Sequence, residues 1–532
     1  MRFLWYNPSM KNTDLTTENV VVLKNRIAEL EALVNFYEGQ FRLSKHRQFG
    51  ASSEKSKYDT EQLSIFNEAE VTADVNTLEP ELVSITKHYR KRKRLVNDQL
   101  PDKLPVETIE HSLPESEQIC PVCDGGLHVI GNEKRRELKI IPAQVKIVEH
   151  VRKVYGCREC EKDEFGEPIL KTPVDNPVIK GSFASPEAIA HIITQKYVMG
   201  VPLYRQEQDW NRNGIMLSRQ TMSNWLIRVT EDYLEPIYNG LRELLMVYDV
   251  IHADETTLQV LRERGKAAQS KSYMWLYRTS GYNKHGMTVK YPIVLYEYQP
   301  SRKAKHPKEF LKDFKGFCHA DGYDGYHSLP DSITVVGCFA HARRKWDEAL
   351  KSIPEETRAD SNIMRGKRYC DKLFEYERKF SDLTPEERLK QRQELSKPLL
   401  NEFYIWIIDL DATPKTPLGV AAHYMISQRK YLEQYLSDGR LEISNNRAER
   451  SIKPFVIGRK NFLFANTPRG AKASAILYSI VETAKECGFN PYEYLVYILK
   501  SAPNLDIRND LGHLERLLPY SAAQFCSVIL AP

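Results

Sequence analysis

Between Ile443 and Ala473 a single acid, Glu449, stands among seven cations: Arg447, Arg450, Lys453, Arg459, Lys460, Arg469 and Lys472. A carboxylate in that company suits metal and phosphate chemistry, the acid holding a cation and the basic side chains holding phosphate oxygens. The competing reading is a solvated helix face on which Glu449 pairs with Lys453 at i,i+4. Two further acids follow short apolar segments. Asp254 lies in His252-Ala253-Asp254-Glu255-Thr256, after Met246 to Ile251, and Asp321 lies in Phe317-Cys318-His319-Ala320-Asp321. Glu255 neighbours the first and Asp324 competes with the second, and Asp321 is preferred because it directly follows the apolar segment while Asp324 lies in the turn beyond. Three carboxylates would supply hard oxygen ligands to two divalent ions and leave positions for water and phosphate, as Mg²⁺ prefers.

A second constellation is built on sulfur. Cys120-Pro-Val-Cys123 and Cys157-Arg-Glu-Cys160 are two CxxC pairs, each able to put two thiolates on one tight turn. Together they supply a closed tetrahedral shell for structural Zn²⁺. The 33 residues between the pairs hold strand-like stretches at 137–141 and 144–155, enough for a hairpin between the knuckles. Redox pairs are the weaker alternative, because no thioredoxin-like setting surrounds either turn.

The elements that must position these groups are legible as periodicities. Strands are expected at Met246 to Ile251, Thr257 to Leu261, Ser272 to Arg278, Pro292 to Tyr298 and Ile333 to Cys338, with helices at Lys308 to Phe314 and Phe339 to Leu350. Strands in a row, then a helix, a strand ending in Asp and a further strand–helix unit describe an RNase H-like α/β core. In such a core the first and fourth strands end side by side, so Asp254 and Asp321 would be adjacent and a later helix would add the third acid. Glu449 is expected on a short helix ending near Pro454 and Gly458. Between Trp346 and Arg440, helical patterns such as Pro385 to Leu400 and Asn401 to Leu410 read as a large insertion. Upstream, Ser185-Pro186 begins a helix, Leu203 to Asn213 a second and Ser218 to Val229 a third after a turn at Gly214. The third presents Arg219, Gln220, Ser223, Asn224 and Arg228 with Trp225 and Leu226 inward, the pattern of a helix-turn-helix with a recognition helix.

Further toward the N-terminus, Val20, Leu23, Ile27, Leu30, Val34, Tyr37 and Phe41 recur three and four apart, as in a short coiled coil. From Ser52 to Ser84 eight acids face two lysines without periodicity, which reads as an acidic linker. Lys87 to Arg94 then packs six cations into eight residues, suited to phosphate contacts. The 532 residues exceed one core, so three to five domains are expected. A net charge of +5 is modest for this size and confines nucleic-acid binding to local patches. Nine cysteines, an odd number, argue against a disulfide framework. No stretch approaches 18 apolar residues and no signal-peptide core is present, so a cytoplasmic protein without a membrane partner is expected.

Taken in order, these motifs resemble the insertion-sequence-66 family of DDE (Asp-Asp-Glu) transposases over nearly the whole chain. The resemblance rests on the zipper followed by Gln48 to Lys55, the CxxC pairs, His252 to Thr256, Asp321 to Tyr326, and Gly337 to Lys345. Asn445 to Arg450, Gly458 to Asn461 and Gly488 to Leu495 complete it. It implies a catalytic triad of Asp254, Asp321 and Glu449 holding two Mg²⁺ (or Mn²⁺) ions, with water and then a DNA 3′-hydroxyl as nucleophiles. It also implies a multidomain α+β protein: coiled coil (1–50), acidic and basic linker (51–110), zinc module (111–175), helix-turn-helix (176–240), catalytic core (241–350), helical insertion (351–440), the last part of the core with Glu449 (441–488) and a C-terminal tail (489–532). The implied partners are double-stranded DNA at transposon ends and target, a second protomer or more, and accessory proteins of the same element, in the bacterial cytosol. Arg447, Arg450, Arg459 and Lys460 would contact phosphates, and His341, Arg343 and Arg344, at a helix start, would reach the scissile phosphate or flanking DNA. A DNA-binding regulator without catalysis and a structure-selective nuclease are the rival functions.

Overall fold

The computed structural model describes residues 145–155, 170–410 and 412–526. The expected coiled coil, the acidic and basic segments, the strand at 137–141 and the zinc ligands Cys120, Cys123, Cys157 and Cys160 lie outside the described residues. Contacts divide the chain into two units, with a boundary after Thr172.

In the smaller unit, β1 (Val154–Tyr155) pairs antiparallel with β2 (Leu170–Lys171). Of the strand expected over 144–155, only these last two residues are strand among those described. Val145, Ile147, Val148 and Val151 are exposed, so the apolar pattern there has no surface to pack against among the described residues.

The larger unit opens with helices whose boundaries are written in their caps. In α1 (Pro186–Tyr197) the Ser185 hydroxyl accepts the Ala188 N–H and Pro186 occupies the first turn. After α2 (Leu203–Arg212) the chain turns at Gly214, whose φ of +76° favours glycine, and enters α3 (Arg219–Val229), capped by Ser218. Met222, Trp225, Leu226 and Val229 of α3 are buried, while Arg219, Gln220, Asn224 and Arg228 are exposed on its other side. A π turn leads into α4 (Glu235–Val247).

A five-stranded sheet follows: β3 (Val250–Gln259), β4 (Lys271–Thr279), β5 (Val294–Gln299), β6 (Gly316–His319) and β7 (Ile333–Val336), in the spatial order β5-β4-β3-β6-β7. β3, β4 and β5 are antiparallel neighbours, whereas β6 and β7 run parallel to β3. Two expected strands, ending at Ile251 and starting at Thr257, are one. β3 passes unbroken through Asp254, Glu255 and Thr256 because these pair with Leu276, Trp275 and Met274 of β4. Its pairing with β6 stops at His252 and His319, so the acids sit where β3 runs on past β6.

Short helices α5 (Lys305–Phe310) and α6 (Asp324–His327) flank β6, and α7 (Phe339–Lys351) follows β7. Then come α8 (Asn362–Lys379), α9 (Pro385–Gln391), α10 (Lys397–Asp409) and α11 (Pro417–Leu432). A π turn at Arg392–Ser396 joins α9 to α10. These helices bury a core of their own around Trp346, Tyr369, Phe403 and Met425. The chain returns to the sheet in α12 (Asn446–Phe462), which packs on β3 and β4, and continues through α13 (Pro468–Glu486), α14 (Pro491–Ser501), α15 (Leu511–Leu517) and α16 (Pro519–Ala522).

Helix α12 does not stop near Pro454 or Gly458 as the sequence suggests. Proline removes one N–H bond, but burial of Ile452 and Phe455 on either side carries the helix through. Gly458 marks a close approach: a Cβ there would lie 2.1 Å from the Tyr478 hydroxyl of α13. Helix α13 in turn closes the sheet edge. Ser479 accepts the Tyr296 N–H at 2.8 Å, and Thr483 accepts from Val294 N–H and donates to its carbonyl, both at 3.0 Å. Among the described residues no helix is long and apolar enough to cross a membrane.

Candidate active site

Asp254 lies within β3 rather than at a strand end, and its Oδ1 accepts the Glu255 N–H at 2.8 Å. Burial first, then the charges of Glu255, Asp321 and Glu449, push its carboxyl well above the ordinary aspartate range. The acids that raise it come from β3 itself, from just past β6 and from a later helix. Asp321 follows β6 by two residues and is 22% exposed; its Oδ1 accepts the Tyr323 N–H at 3.0 Å, which fixes the turn. Asp324 is 97% exposed and lies 3.5 Å from His327.

Glu449 sits in the first turn of α12, where the helix dipole favours an anion. It is 31% exposed and is flanked by α7, with His341 Nδ1 at 3.6 Å and Arg344 Nη2 at 3.7 Å. Among the described residues it makes no ion pair with Lys453, so the helix-face reading does not account for it. Glu449 Oε1 and His341 Nδ1 are both buried atoms without a hydrogen-bond partner. Carboxylate oxygens are the donors a hard divalent cation takes, and Asp254, Asp321 and Glu449 supply them, but as a set of three they do not come within 4.8 Å of one another.

Two supporting networks were not anticipated. Arg302 donates from Nε to Glu255 Oε1 at 2.7 Å, reaches Asp321 Oδ2 at 3.8 Å and stacks over Tyr323 at 3.9 Å. Tyr326 donates to the other Glu255 oxygen at 2.6 Å. Glu255 is thus tied down by its own partners. The only sequence signal for Arg302 is a basic run after β5. The second network pins α12 to β3. Asn445 Nδ2 donates to the Ala253 carbonyl at 2.7 Å, so its Oδ1 faces His252 Nδ1 at 2.9 Å as acceptor. That fixes the proton of His252 on Nδ1. His252 stacks on His319 at 4.3 Å, and burial holds both rings well below the usual histidine range, hence neutral.

The expected DNA-contacting residues divide. Gln220, Asn224, Arg450 and Lys460 are exposed. Arg219 and Arg228 are exposed beside Glu207 and Asp232, at 3.8 and 3.6 Å. Arg343 binds Asp371, Arg447 binds Glu442 at 2.7 Å, and Arg344 leans on Glu449. Arg459 is turned inward onto the Thr256 and Thr257 hydroxyls and the Thr257 carbonyl. Its role in the structure is to fasten α12 to the far end of β3.

The raised Asp254 carboxyl has a consequence for stability. A carboxyl whose folded pKa lies above its unfolded value costs nothing at low pH and penalises folding once pH has risen through that range. Asp254→Asn is therefore expected to raise the melting temperature of the metal-free protein at pH 7 by a few degrees, about 2–4 °C per kcal/mol relieved. Below about pH 3, under the unfolded aspartate value, the difference should vanish. Equal melting of both proteins across this pH range would show that the acid cluster carries no penalty.

Comparison with known families bears on this arrangement. Residues 181–473, spanning α3, the sheet, the inserted helices and Glu449, match the family described as "Transposase IS66 family". Residues 479–520 match its "IS66 C-terminal element". Residues 117–161, with all four CxxC cysteines, match the "zinc-finger binding domain of transposase IS66", which supports structural zinc, and residues 37–109 match "Transposase C of IS166 homeodomain". These matches define a transposase. The chain belongs to the IS66 family. It is similar to three uncharacterized proteins of Sinorhizobium fredii: y4jD, 30% identical over 423 residues (77% of this chain, 78% of that protein), y4hP, 29% over 462 (83% and 80%), and y4qI, 28% over 385 (69% and 67%).

Proposed function

We propose that the chain is a DDE transposase with an RNase H-like core, which binds the inverted-repeat ends of its element and carries out cleavage and strand transfer. The observation that supports this most is the placement of the three acids: Asp254 on β3, Asp321 two residues past the parallel neighbour β6, and Glu449 in the first turn of α12, the helix that packs on β3 after the helical excursion. Asp254, Asp321 and Glu449 would hold Mg²⁺ or Mn²⁺, and a pair of such ions activates the attacking oxygen and stabilises the leaving one at a phosphodiester.

The remaining roles belong to the chain itself. Arg302 and Tyr326 bind both oxygens of Glu255, whereas Asp254 and Asp321 each engage one oxygen with a backbone N–H. Asn445 fixes the start of α12, and Glu449 with it, to the strand that bears Asp254. Arg344, beside Glu449, reads as the cation nearest the scissile phosphate, with Arg450 and Lys460 along the outer face of α12. The exposed Arg219, Gln220, Asn224 and Arg228 make α3 the element that reads the terminal repeat in a major groove. A dimer or higher oligomer would synapse two ends.

The test is to incubate the protein with Mg²⁺ and labelled DNA ending in the inverted repeats that flank its reading frame. Joining of the labelled end to target DNA is the expected outcome. Cutting without joining would make the protein a nuclease, and binding without cutting a regulator.

A further inference from the structure

Glu449 has a second set of neighbours that oxygen-metal chemistry does not use. Cys338 directly precedes α7, His341 lies in its first turn, and α12 brings Glu449 against both. One ligand atom from each, the Cys338 sulfur, a His341 ring nitrogen and a Glu449 carboxylate oxygen, lie within 4.8 Å of one another. His341 Nδ1 and Glu449 Oε1, 3.6 Å apart, are buried without hydrogen-bond partners. Cys338 is a free, buried thiol whose sulfur accepts the Asn445 N–H at 3.1 Å, so it is aimed rather than loose.

We propose that Cys338, His341 and Glu449 form a second metal site, one for a thiophilic divalent cation such as Zn²⁺, and that filling it withdraws Glu449 from catalysis. Thiolate, imidazole and carboxylate are the donor set of Zn²⁺, whereas Mg²⁺ takes oxygen and leaves sulfur alone. Zn–ligand bonds of about 2.0–2.3 Å put tetrahedral ligands roughly 3.5 Å apart, a spacing the histidine and glutamate already have. Binding releases the Cys338 thiol proton to solvent and leaves a fourth position for water. Two metals of different hardness thus compete for one carboxylate, and Zn²⁺ acts as an inhibitor. The inhibitory part of this inference rests on Glu449 serving catalysis; the binding part does not.

Two measurements on the full chain, with its CxxC sites first saturated with zinc and excess metal removed, test it. In the first, strand transfer at fixed Mg²⁺ is followed as Zn²⁺ is added, each protein normalised to its own zinc-free rate. Wild type should be inhibited, and Cys338→Ser should need at least ~10-fold more Zn²⁺, since even outer partners of a metal site are worth that much in affinity. Cys338→Ala repeats the comparison without a hydroxyl that can ligate. Equal sensitivity of all three proteins, or no inhibition of wild type, overturns the inhibitory site. In the second, Cd²⁺ is added and the thiolate-to-metal absorption is read: wild type should exceed both variants by one thiolate's contribution, and equal bands overturn the site itself. The band needs no turnover, so a protein that fails to join DNA with Mg²⁺ alone would count against transposase chemistry while Cd²⁺ still decides the site.

Discussion

Replacing Glu449 by Gln is expected to lower Mg²⁺-dependent cleavage and joining by about a thousandfold, corresponding to about 4 kcal/mol of lost transition-state stabilisation. Binding to transposon ends should be unchanged. The amide keeps the shape of the side chain but loses the charge that a hard cation requires. The fold has little reason to suffer. Glu449 is 31% exposed, its nearest basic side chains, His341 and Arg344, stand at 3.6 and 3.7 Å, and its charge adds to the burden on Asp254. The substitution removes no hydrogen bond from the buried Oε1, which has none, so the melting temperature should change little. The comparison of rate with binding separates the two roles open to this residue. If Glu449 served only to neutralise His341 and Arg344, the Gln variant would join DNA at the wild-type rate with its melting temperature lowered. A wild-type rate would remove Glu449 from the proposed triad.

Glu449 is prominent in the sequence for a simple reason. Its isolation among cations is a feature of composition, and the spacing of apolar residues around Asp254 and Asp321 announces strands. β4, β5 and β7 lie within two residues of their expected starts, and β6 and α7 also lie where the pattern puts them. The errors have local causes. The sequence between Ile251 and Thr257 is polar, which reads as a break, yet cross-strand pairing to Leu276, Trp275 and Met274 keeps β3 extended. Pro454 and Gly458 read as a helix end, yet the contact with Tyr478 and the buried Phe455 outweigh one lost hydrogen bond. Of the proposed site, the sequence singles out Glu449 by its basic surroundings, whereas Asp254 and Asp321 stand out only through the order of the strands around them. Arg302, Asn445, His252 and His319 were not read as supports, since what distinguishes them is a partner between 47 and 193 positions away. Arg459 shows the same limit: its basic segment suggests a phosphate contact, and nothing local announces its bonds to the Thr257 hydroxyl and carbonyl on β3.

The largest effect on stability is expected from Arg392→Ala, among the inserted helices. Arg392 is completely buried in the π turn between α9 and α10, and it spends every donor. Nε and Nη2 grip the two Glu377 oxygens at 2.8 and 2.6 Å; Nη1 donates to the carbonyls of Tyr435 and Asp438 at 2.8 and 3.0 Å; Nη2 also reaches Leu441 at 2.8 Å. Alanine would strand a carboxylate that is only 13% exposed and leave three backbone carbonyls without this donor. Breaking a buried pair from one side costs about 3–5 kcal/mol, which lowers the melting temperature by roughly 10 °C for a unit of this size. Lysine should recover only part of this, because a point charge cannot match the planar fork. Removing the stranded charge as well, in Glu377→Leu with Arg392→Met, should recover more than lysine does. A melting temperature for Arg392→Ala within 2 °C or so of wild type would mean that the guanidinium is not what holds these helices. The same substitution should also reduce strand transfer below the unfolding temperature. Leu441, one of the carbonyls Arg392 binds, precedes Glu442, the Asn445 clamp and Glu449 in one continuous stretch, so loosening it frees the start of α12 from β3.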